Sequence, residues 1–152
     1  MPHIHDLIDF VVNVFLVRNG RVLLVDHREL GTWLPPGGHI ELEEDTDQAL
    51  LREIEEETGL TPHDIEIVAE RPELGGAKSL WAPRWLNIHS IKDRHRHIAL
   101  LYLARAKTDQ VRLADREHRD IRWLSSLELD DPAFNTPADI RFYGKEAIRL
   151  LS

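Results

Sequence analysis

Three glutamates between residues 53 and 57 give the first indication of chemistry in this sequence. At about 100° per residue, Glu57 lies about 40° to one side of Glu53 and Glu56 about 60° to the other, so the three carboxylates share one helix face. Like charges at these spacings destabilise a helix by roughly a few tenths of a kcal/mol per pair, and no lysine on this face offsets them. A divalent cation that also takes phosphate oxygens as ligands would relieve this repulsion.

The loop ahead of this helix contains the pair Gly37-Gly38, which frees the backbone to approach a ligand closely. The alternative is an ordinary acidic surface, because glutamate forms helices well and such runs are common on solvated faces. Taken alone, the three glutamates favour an ordinary acidic surface. Only the wider pattern of the sequence can favour a metal site over it.

The elements that must position these residues indicate one mixed α+β domain over residues 1–152. The acidic helix is predicted over residues 46–58, with Asp45 or Thr46 as its N-terminal cap and Gly59 as its stop. Strands are predicted at residues 10–18, 21–27, 64–70, 97–106 and 120–124. This order does not alternate strand and helix regularly, so it favours a mixed sheet with helices packed on its faces.

Turn signals separate these elements. Asn19-Gly20 lies between the first two strands and predicts a hairpin. Loops are predicted at residues 28–44 and 71–95, which are rich in glycine and proline. A closing helix over residues 137–151 is predicted to take Asn135 or Thr136 as its cap, with the proline at its first position.

The segment from Gly38 to Leu60 matches a known motif. It reads Gly38, five residues, Glu44, seven residues, Arg52-Glu53-Ile54, one residue, Glu56-Glu57, one residue and Gly59-Leu60. Every fixed position of the Nudix box is present, so the chain resembles the Nudix hydrolases. Nine positions over 23 residues rarely match by chance, and this outweighs the plain acidic surface. Weaker resemblance lies in Trp33-Leu34-Pro35 and Arg122-Trp123-Leu124, and a second proline before the glycines is a small departure.

The resemblance implies an α/β/α sandwich around a mixed central sheet, with Mg²⁺ or Mn²⁺ as cofactor. It makes Glu53, Glu56 and Glu57 metal ligands, with the carbonyl of Gly37 or Gly38 nearby. Arg52 would hold a glutamate by a charge-assisted pair, and Glu44 would assist from the loop. Glu53 is the first choice for the general base that takes a proton from the attacking water.

Two candidate residues outside the box also rest on the resemblance. Glu117 lies six positions before Trp123, where MutT-like members of the family carry a metal-binding glutamate, and an ordinary surface glutamate is an equally weighted alternative. Asn135 resembles the asparagine with which MutT-like members contact a purine base. A cap for the closing helix is the favoured alternative for this residue.

Aromatic and histidine side chains supply further candidates for substrate binding. His39 follows the glycine pair and would line the site, while His97 would contact phosphate or stack on a base. Trp81 would stack on a nucleobase, with core covering or a dimer contact as its alternatives. Phe15 is a candidate for the base pocket, with core packing as the stronger alternative. A zinc site made from histidines is a weaker hypothesis, because the box already supplies a hard-metal site (His89, His95 and His97).

The composition excludes several classes of function. A formal net charge of −8 argues against polymeric nucleic acid as a partner, because basic surfaces hold phosphate backbones. The sequence has no cysteine, which excludes thiol catalysis and the isopentenyl diphosphate isomerisation that resembling proteins perform with a cysteine. No apolar run is long enough for a membrane span, and residues 10–17 lack the basic flank of a secretory signal. We therefore expect a cytoplasmic protein with no membrane partner.

The expected function is Mg²⁺-dependent cleavage of the diphosphate linkage of a nucleoside diphosphate derivative, a small-molecule nucleotide. A nucleoside triphosphate is favoured, because the first strand begins near residue 10 without the N-terminal extension of many ADP-ribose hydrolases. The alternatives are ADP-ribose, another nucleotide sugar or a dinucleoside polyphosphate. A non-catalytic nucleotide sensor is a further alternative, although such modules often lose box carboxylates. Both a monomer and a homodimer agree with the sequence.

Overall fold

A computed structural model describes residues 6–113 and 118–152 of the chain. In chain order the elements are β1 (Ile8–Arg18), β2 (Arg21–His27), β3 (Thr32–Leu34), β4 (Gly37–His39), α1 (Thr46–Thr58), β5 (Ile65–Ile67), β6 (Trp85–Lys92), β7 (His95–Ala106), β8 (His118–Ser125), α2 (Ser126–Leu129) and α3 (Ala138–Leu151), with 3₁₀ turns at Pro62–Asp64 and Pro132–Phe134. In these two described ranges, no helix combines the length and apolar character needed to cross a membrane.

The eight strands form one mixed sheet, as predicted. Strands β1 and β7 run parallel at its centre, in register from Ile8 opposite Arg96 to Val17 opposite Arg105, and the other described pairings are antiparallel. One edge of β1 is shared by β4 and the end of β2, and one edge of β7 is shared by β5 and β6. The short β3 and β4 lie inside residues 28–44, which the sequence predicted mainly as loop. These shared edges bring the glycine pair beside β1.

Helices cover both faces of the sheet, which confirms the α/β/α sandwich. On the face covered by α1, β1 contributes Val12, Val14 and Leu16 to a core with Leu50 and Ile54. On the opposite face, β1 contributes Val11, Phe15 and Val17 to a core with Ile140, Ala147 and Ile148 of α3. Because both faces of β1 are buried, the strand is almost continuously apolar.

The prediction of a loop over residues 71–95 was wrong at its C-terminal end, where β6 pairs with β7. The strand alternates, but its pattern is inverted: Asn87 and His89 face inward, whereas Leu86 and Ile88 are exposed. A strand that turns its polar residues toward the protein lacks the usual sequence signal, in which the apolar side chains are the buried ones.

The predicted cap of the closing helix was also wrong. Helix α3 begins after Pro137, which itself occupies the capping position and has no polar side chain. Asn135 adopts a left-handed conformation with φ 46°, and its side-chain amide donates to the Gly31 carbonyl at 3.0 Å. Its own carbonyl accepts from the Thr32 hydroxyl. Asn135 therefore fastens the turn before α3 to the loop ahead of β3.

Candidate active site

Helix α1 presents the acidic residues, and its two ends are fixed as the sequence predicted. Asp45 accepts from the Gln48 N–H at 2.8 Å, and the Gln48 side chain accepts from the Asp45 N–H at 2.9 Å. This reciprocal pair is a capping box. Gly59 ends the helix in the left-handed conformation with φ 76°. The helix therefore holds its carboxylates in a fixed rotation relative to the sheet.

The glycine pair of β4 lies directly against this helix. A Cβ atom added to Gly38 would lie 2.3 Å from Oε1 of Glu53, so only glycine permits this approach. The neighbouring Gly37 donates its N–H to Oε2 of Glu57 at 2.9 Å. Backbone and carboxylates are thus brought together without an intervening side chain.

Two of the box carboxylates are almost fully buried, since Glu53 is 4% and Glu57 5% exposed. Glu56 lies at the rim, with 57% of its side chain exposed. Buried charges are costly unless they are paired or coordinate a metal, and here Arg52 donates to Glu53 and the Gly37 N–H donates to Glu57. The three carboxylates offer hard oxygen atoms as ligands, which suit Mg²⁺ or Mn²⁺.

Arg52 connects the acidic groups to one another. Its guanidinium donates to both carboxylate oxygens of Glu44, from Nη2 at 2.6 Å and from Nε at 3.0 Å. Its Nη1 donates to Glu53 at 3.0 Å and to Glu56 at 3.2 Å. A fourth partner is the His39 backbone carbonyl, at 3.0 Å from Nη2. One planar cation therefore fixes the positions of three box carboxylates and of β4.

The hydrogen bond from Arg52 is the main reason that the pKa of Glu44 lies below its ordinary value. The same pair raises the pKa of Arg52, with Glu44 as the first cause and burial acting against it. Glu44 therefore remains ionised and is a weak proton acceptor. Glu44 positions Arg52. It also accepts from the Glu41 N–H at 2.9 Å, so it connects the loop before α1 to the helix.

His118 is a site residue that the sequence reasoning missed. It is 3% exposed, and its Nε2 lies 4.0 Å from Oε1 of Glu57. The ring packs edge-on against His27 at 5.2 Å, opposite it in the β2–β8 pairing. That pairing joins positions 91 residues apart in sequence, so the local spacing of residues could not have predicted this contact. The neighbouring Glu117, predicted as a metal ligand, lies outside the described residues.

Phe15 lies in the core rather than at a surface. It is completely buried and packs between Trp85, at 6.1 Å, and Tyr143, at 5.8 Å between ring centroids. This position favours core packing over stacking on a base. Asn135 likewise uses its side chain within the protein, on Gly31.

Trp81 anchors the long loop to the start of α1. Its backbone N–H donates to Oδ1 of the buried Asp47 at 3.0 Å. The guanidinium of Arg71 lies over its ring at 3.9 Å and also pairs with Asp47. One face of the indole is therefore covered by an arginine of the same loop, which favours a structural role for Trp81.

His39 and His97 lie together, with ring centroids 4.9 Å apart. In β4, side chains alternate between faces, so Gly38 faces α1 and His39 faces the opposite side of the sheet. The structure thus brings His39 beside other histidines and not among the box carboxylates, although its backbone carbonyl contacts Arg52.

The family model of the NUDIX domain matches residues 9–144. The chain belongs to the Nudix family. The family predicted from the box is thereby confirmed, and the segment from Gly38 to Leu60 is its Nudix box. The match extends far beyond the box, from β1 into α3, and agrees with the sandwich architecture.

Known relatives support this membership. The CTP pyrophosphohydrolase of Escherichia coli (strain K12) is 29% identical over 129 residues, covering 81% of this Nudix chain and 96% of that protein. The m7GpppN-mRNA hydrolase NUDT17 of Homo sapiens is 35% identical over 114 residues, covering 75% of this chain and 32% of that protein. The chain thus spans about a third of the length of the NUDT17 relatives that it matches.

A solved structure of a NUDIX-family hydrolase from Clostridium perfringens has the same architecture. It superposes with a TM-score of 0.82 at 30% sequence identity, covering 95% of this chain and 98% of that chain. The agreement over nearly the whole length of both chains shows that the Nudix sandwich is complete around the box.

Proposed function

We propose that this Nudix chain hydrolyses the diphosphate linkage of a nucleoside triphosphate, as a divalent-metal-dependent pyrophosphohydrolase. The observation that carries the proposal is the buried carboxylate pair Glu53 and Glu57. Glu57 accepts from the Gly37 N–H of β4, and Glu53 accepts from Arg52. A non-catalytic sensor does not require such an array, and every carboxylate of the box is present here.

The residues fit a Mg²⁺ or Mn²⁺ ion. Glu53, Glu56 and Glu57 would hold it, together with the carbonyl of Gly38, a residue that packs against the Glu53 carboxylate. When bound, such an ion neutralises the diphosphate and lowers the pKa of a water molecule at phosphorus.

Glu53 is the proposed general base. Arg52 donates to its Oε1 at 3.0 Å and so fixes the orientation of the carboxylate, which then takes a proton from the attacking water. Glu44 keeps Arg52 in place and remains ionised. The protein therefore contributes positioning and one proton transfer, and its low exposure at Glu53 keeps bulk water away.

The preference for a nucleoside triphosphate is supported by the relative that matches over 96% of its own length, which is named as a CTP pyrophosphohydrolase. A dinucleoside polyphosphate is the second candidate, because the NUDT17 relatives are named as hydrolases of the m7GpppN cap, which joins two nucleosides through phosphates. The net charge of −8 opposes binding of a long RNA and leaves a small capped nucleotide as the matching substrate.

The decisive experiment is a substrate panel with the purified chain and Mg²⁺ or Mn²⁺. The panel contains normal and oxidised nucleoside triphosphates, dinucleoside polyphosphates, ADP-ribose and nucleotide sugars, with released phosphate or pyrophosphate as the readout. Metal-dependent turnover of a triphosphate supports the proposal. Preferential turnover of another class would show that the substrate belongs to that class instead. Tight binding of a nucleotide without turnover of any would make the chain a sensor.

Glu57→Gln tests whether turnover belongs to the box. This change keeps the side-chain shape and an acceptor for the Gly37 N–H, but removes a buried charge. Turnover at the wild-type rate in this variant would show that the metal assignment is wrong.

A further inference from the structure

A second polar cluster lies on the other face of the sheet, the face covered by α3. We name it the Asp-His cluster, and it consists of Asp9 on β1, His39 on β4, His89 on β6, and His95 and His97 on β7. Strand pairing places these residues side by side, because Asp9 and His89 each lie opposite His97 and His39 lies opposite Val11, two residues along β1 from Asp9. Four strands thus contribute polar side chains to one point.

The ligand atoms of this cluster are close enough to share an ion. One potential ligand atom from each of Asp9, His95 and His97 lies within 4.8 Å of the others. Oδ2 of Asp9 lies 3.3 Å from Nε2 of His95 and 3.3 Å from Nε2 of His39. Ligands of a four-coordinate zinc ion are separated by about 3.3 Å when each bond is about 2.0–2.1 Å long, and the distance between Asp9 and His95 matches this value.

A hydrogen bond orients the His95 ring. Its Nδ1 lies 3.0 Å from the backbone carbonyl oxygen of Asp6, which accepts hydrogen bonds and cannot donate them. Nδ1 is therefore the donor, and the other ring nitrogen, Nε2, points toward Asp9. A metal-binding histidine is ordinarily fixed in this way by a carbonyl or carboxylate on its other nitrogen.

The three proposed ligand residues are almost fully buried. Asp9 is 1%, His95 7% and His97 9% exposed. The His97 ring lies 4.9 Å from His39, 5.1 Å from His95 and 5.7 Å from His89 between centroids. A cation bound here would therefore be shielded from water by the carboxylate and the packed imidazole rings around it.

We propose that Asp9, His95 and His97 bind a divalent transition-metal ion of the zinc class, in a site separate from the carboxylates of the Nudix box. Two imidazoles and one carboxylate suit zinc and exclude Mg²⁺, which prefers oxygen ligands.

Strand β4 separates the two sites. Gly38 faces Glu53 on the α1 side, and the next residue, His39, faces Asp9 on the α3 side. An ion in the Asp-His cluster would tie β1 and β7 together at the end of their parallel pairing, and binding would stabilise the folded chain in proportion to its affinity. This role is independent of the proposed hydrolase activity.

Zinc binding to a chain with a disabled box tests the proposal. The parent protein is the Glu56→Gln/Glu57→Gln double variant, freed of metal and titrated with Zn²⁺ against a chromophoric zinc chelator. We expect one tight equivalent of zinc that millimolar Mg²⁺ does not displace. Adding His97→Gln should weaken this binding at least tenfold. Adding His63→Gln, at an exposed histidine in the 3₁₀ turn Pro62–Asp64, should leave it unchanged.

X-ray absorption at the zinc edge provides a readout that does not depend on a folded His97 variant. The zinc-loaded parent protein should show scattering from two imidazole rings. Absence of a tight equivalent, binding that His97→Gln does not weaken, or a zinc shell without imidazole would each overturn the proposal.

Discussion

The two faces of the sheet carry polar clusters of opposite character, separated by one peptide of β4. On the α1 face, the box combines several carboxylates with one guanidinium and offers oxygen donors. On the α3 face, the Asp-His cluster combines one carboxylate with imidazoles and offers mainly nitrogen donors. The difference shows how one strand can supply two chemically distinct sites, because Gly38 and His39 point to opposite sides.

Glu53→Gln should separate the two clusters most strongly, because we expect it to change activity and to leave zinc binding intact. Removing the proposed general base should lower kcat by about 10²- to 10⁴-fold. Steady-state kinetics on the best substrate measures the loss, and zinc titration of Glu53→Gln in the Glu56→Gln/Glu57→Gln background measures the Asp-His cluster. We expect kcat to fall while zinc affinity is retained. Equal losses at both would mean that the two clusters act as one site.

Gly38→Ala should come next. The added methyl group would lie 2.3 Å from Oε1 of Glu53, so the carboxylate must move away from its position in the site. A displacement of about 1 Å in a catalytic group costs roughly 100-fold in rate, and we expect kcat to fall by that order. The matched control is Gly76→Ala, where an added Cβ meets no described atom within 4 Å. Similar rates for the two alanine variants would contradict the close approach.

Glu44→Gln should lower kcat by about tenfold, because Arg52 loses its bidentate partner and orients Glu53 less well. The variant also tests a pH dependence. The pKa of Glu44 is lowered from the ordinary value of 4.5, so its ion pair stabilises the protein above that pH and is lost as pH falls through the folded value.

Chemical denaturation of wild type and Glu44→Gln at several pH values measures this contribution. We expect the wild type to be more stable by about 1.5 kcal/mol at neutral pH, with the difference shrinking below pH about 4.5. A difference that stays constant down to pH 3, far into the acid range, would show that the charge of Glu44 is not its source.

Asp45→Ala should have the smallest effect. It removes the side chain that accepts from the Gln48 N–H at the start of α1, which costs about 1 kcal/mol. Thermal unfolding should show a lower Tm, by several degrees, with kcat little changed because the carboxylates lie beyond the first turn. Asp45→Asn, which keeps a capping oxygen, is the control and should recover most of the stability.

The box could be predicted from sequence because its information is local. Glu53, Glu56 and Glu57 share a helix face by spacing alone, and Asp45 and Gly59 mark the ends of that helix. The hairpin at Asn19-Gly20 was predicted for the same reason, and both residues adopt the positive φ values that such a turn requires.

The Asp-His cluster and His118 depend on strand pairing between distant parts of the chain. The sequence suggested a zinc site from His89, His95 and His97 as a weak hypothesis, but it gave no reason to add Asp9, which arrives through the parallel pairing of β1 with β7. In the same way, His118 reaches Glu57 only because β8 pairs with β2. Spacing along one element cannot reveal contacts of this kind.

The parallel pairing of β1 with β7 has a consequence for the biosynthesis of this chain. Residues 8 to 17 leave the ribosome before their partners at residues 96 to 105, which lie 88 positions later in the chain. Meanwhile β1 is an apolar strand with an open edge, and contacts between residues so distant in sequence form slowly. The nascent chain is therefore most prone to aggregation before β7 has left the ribosomal tunnel, and a chaperone that binds extended apolar segments would act on β1 during that interval.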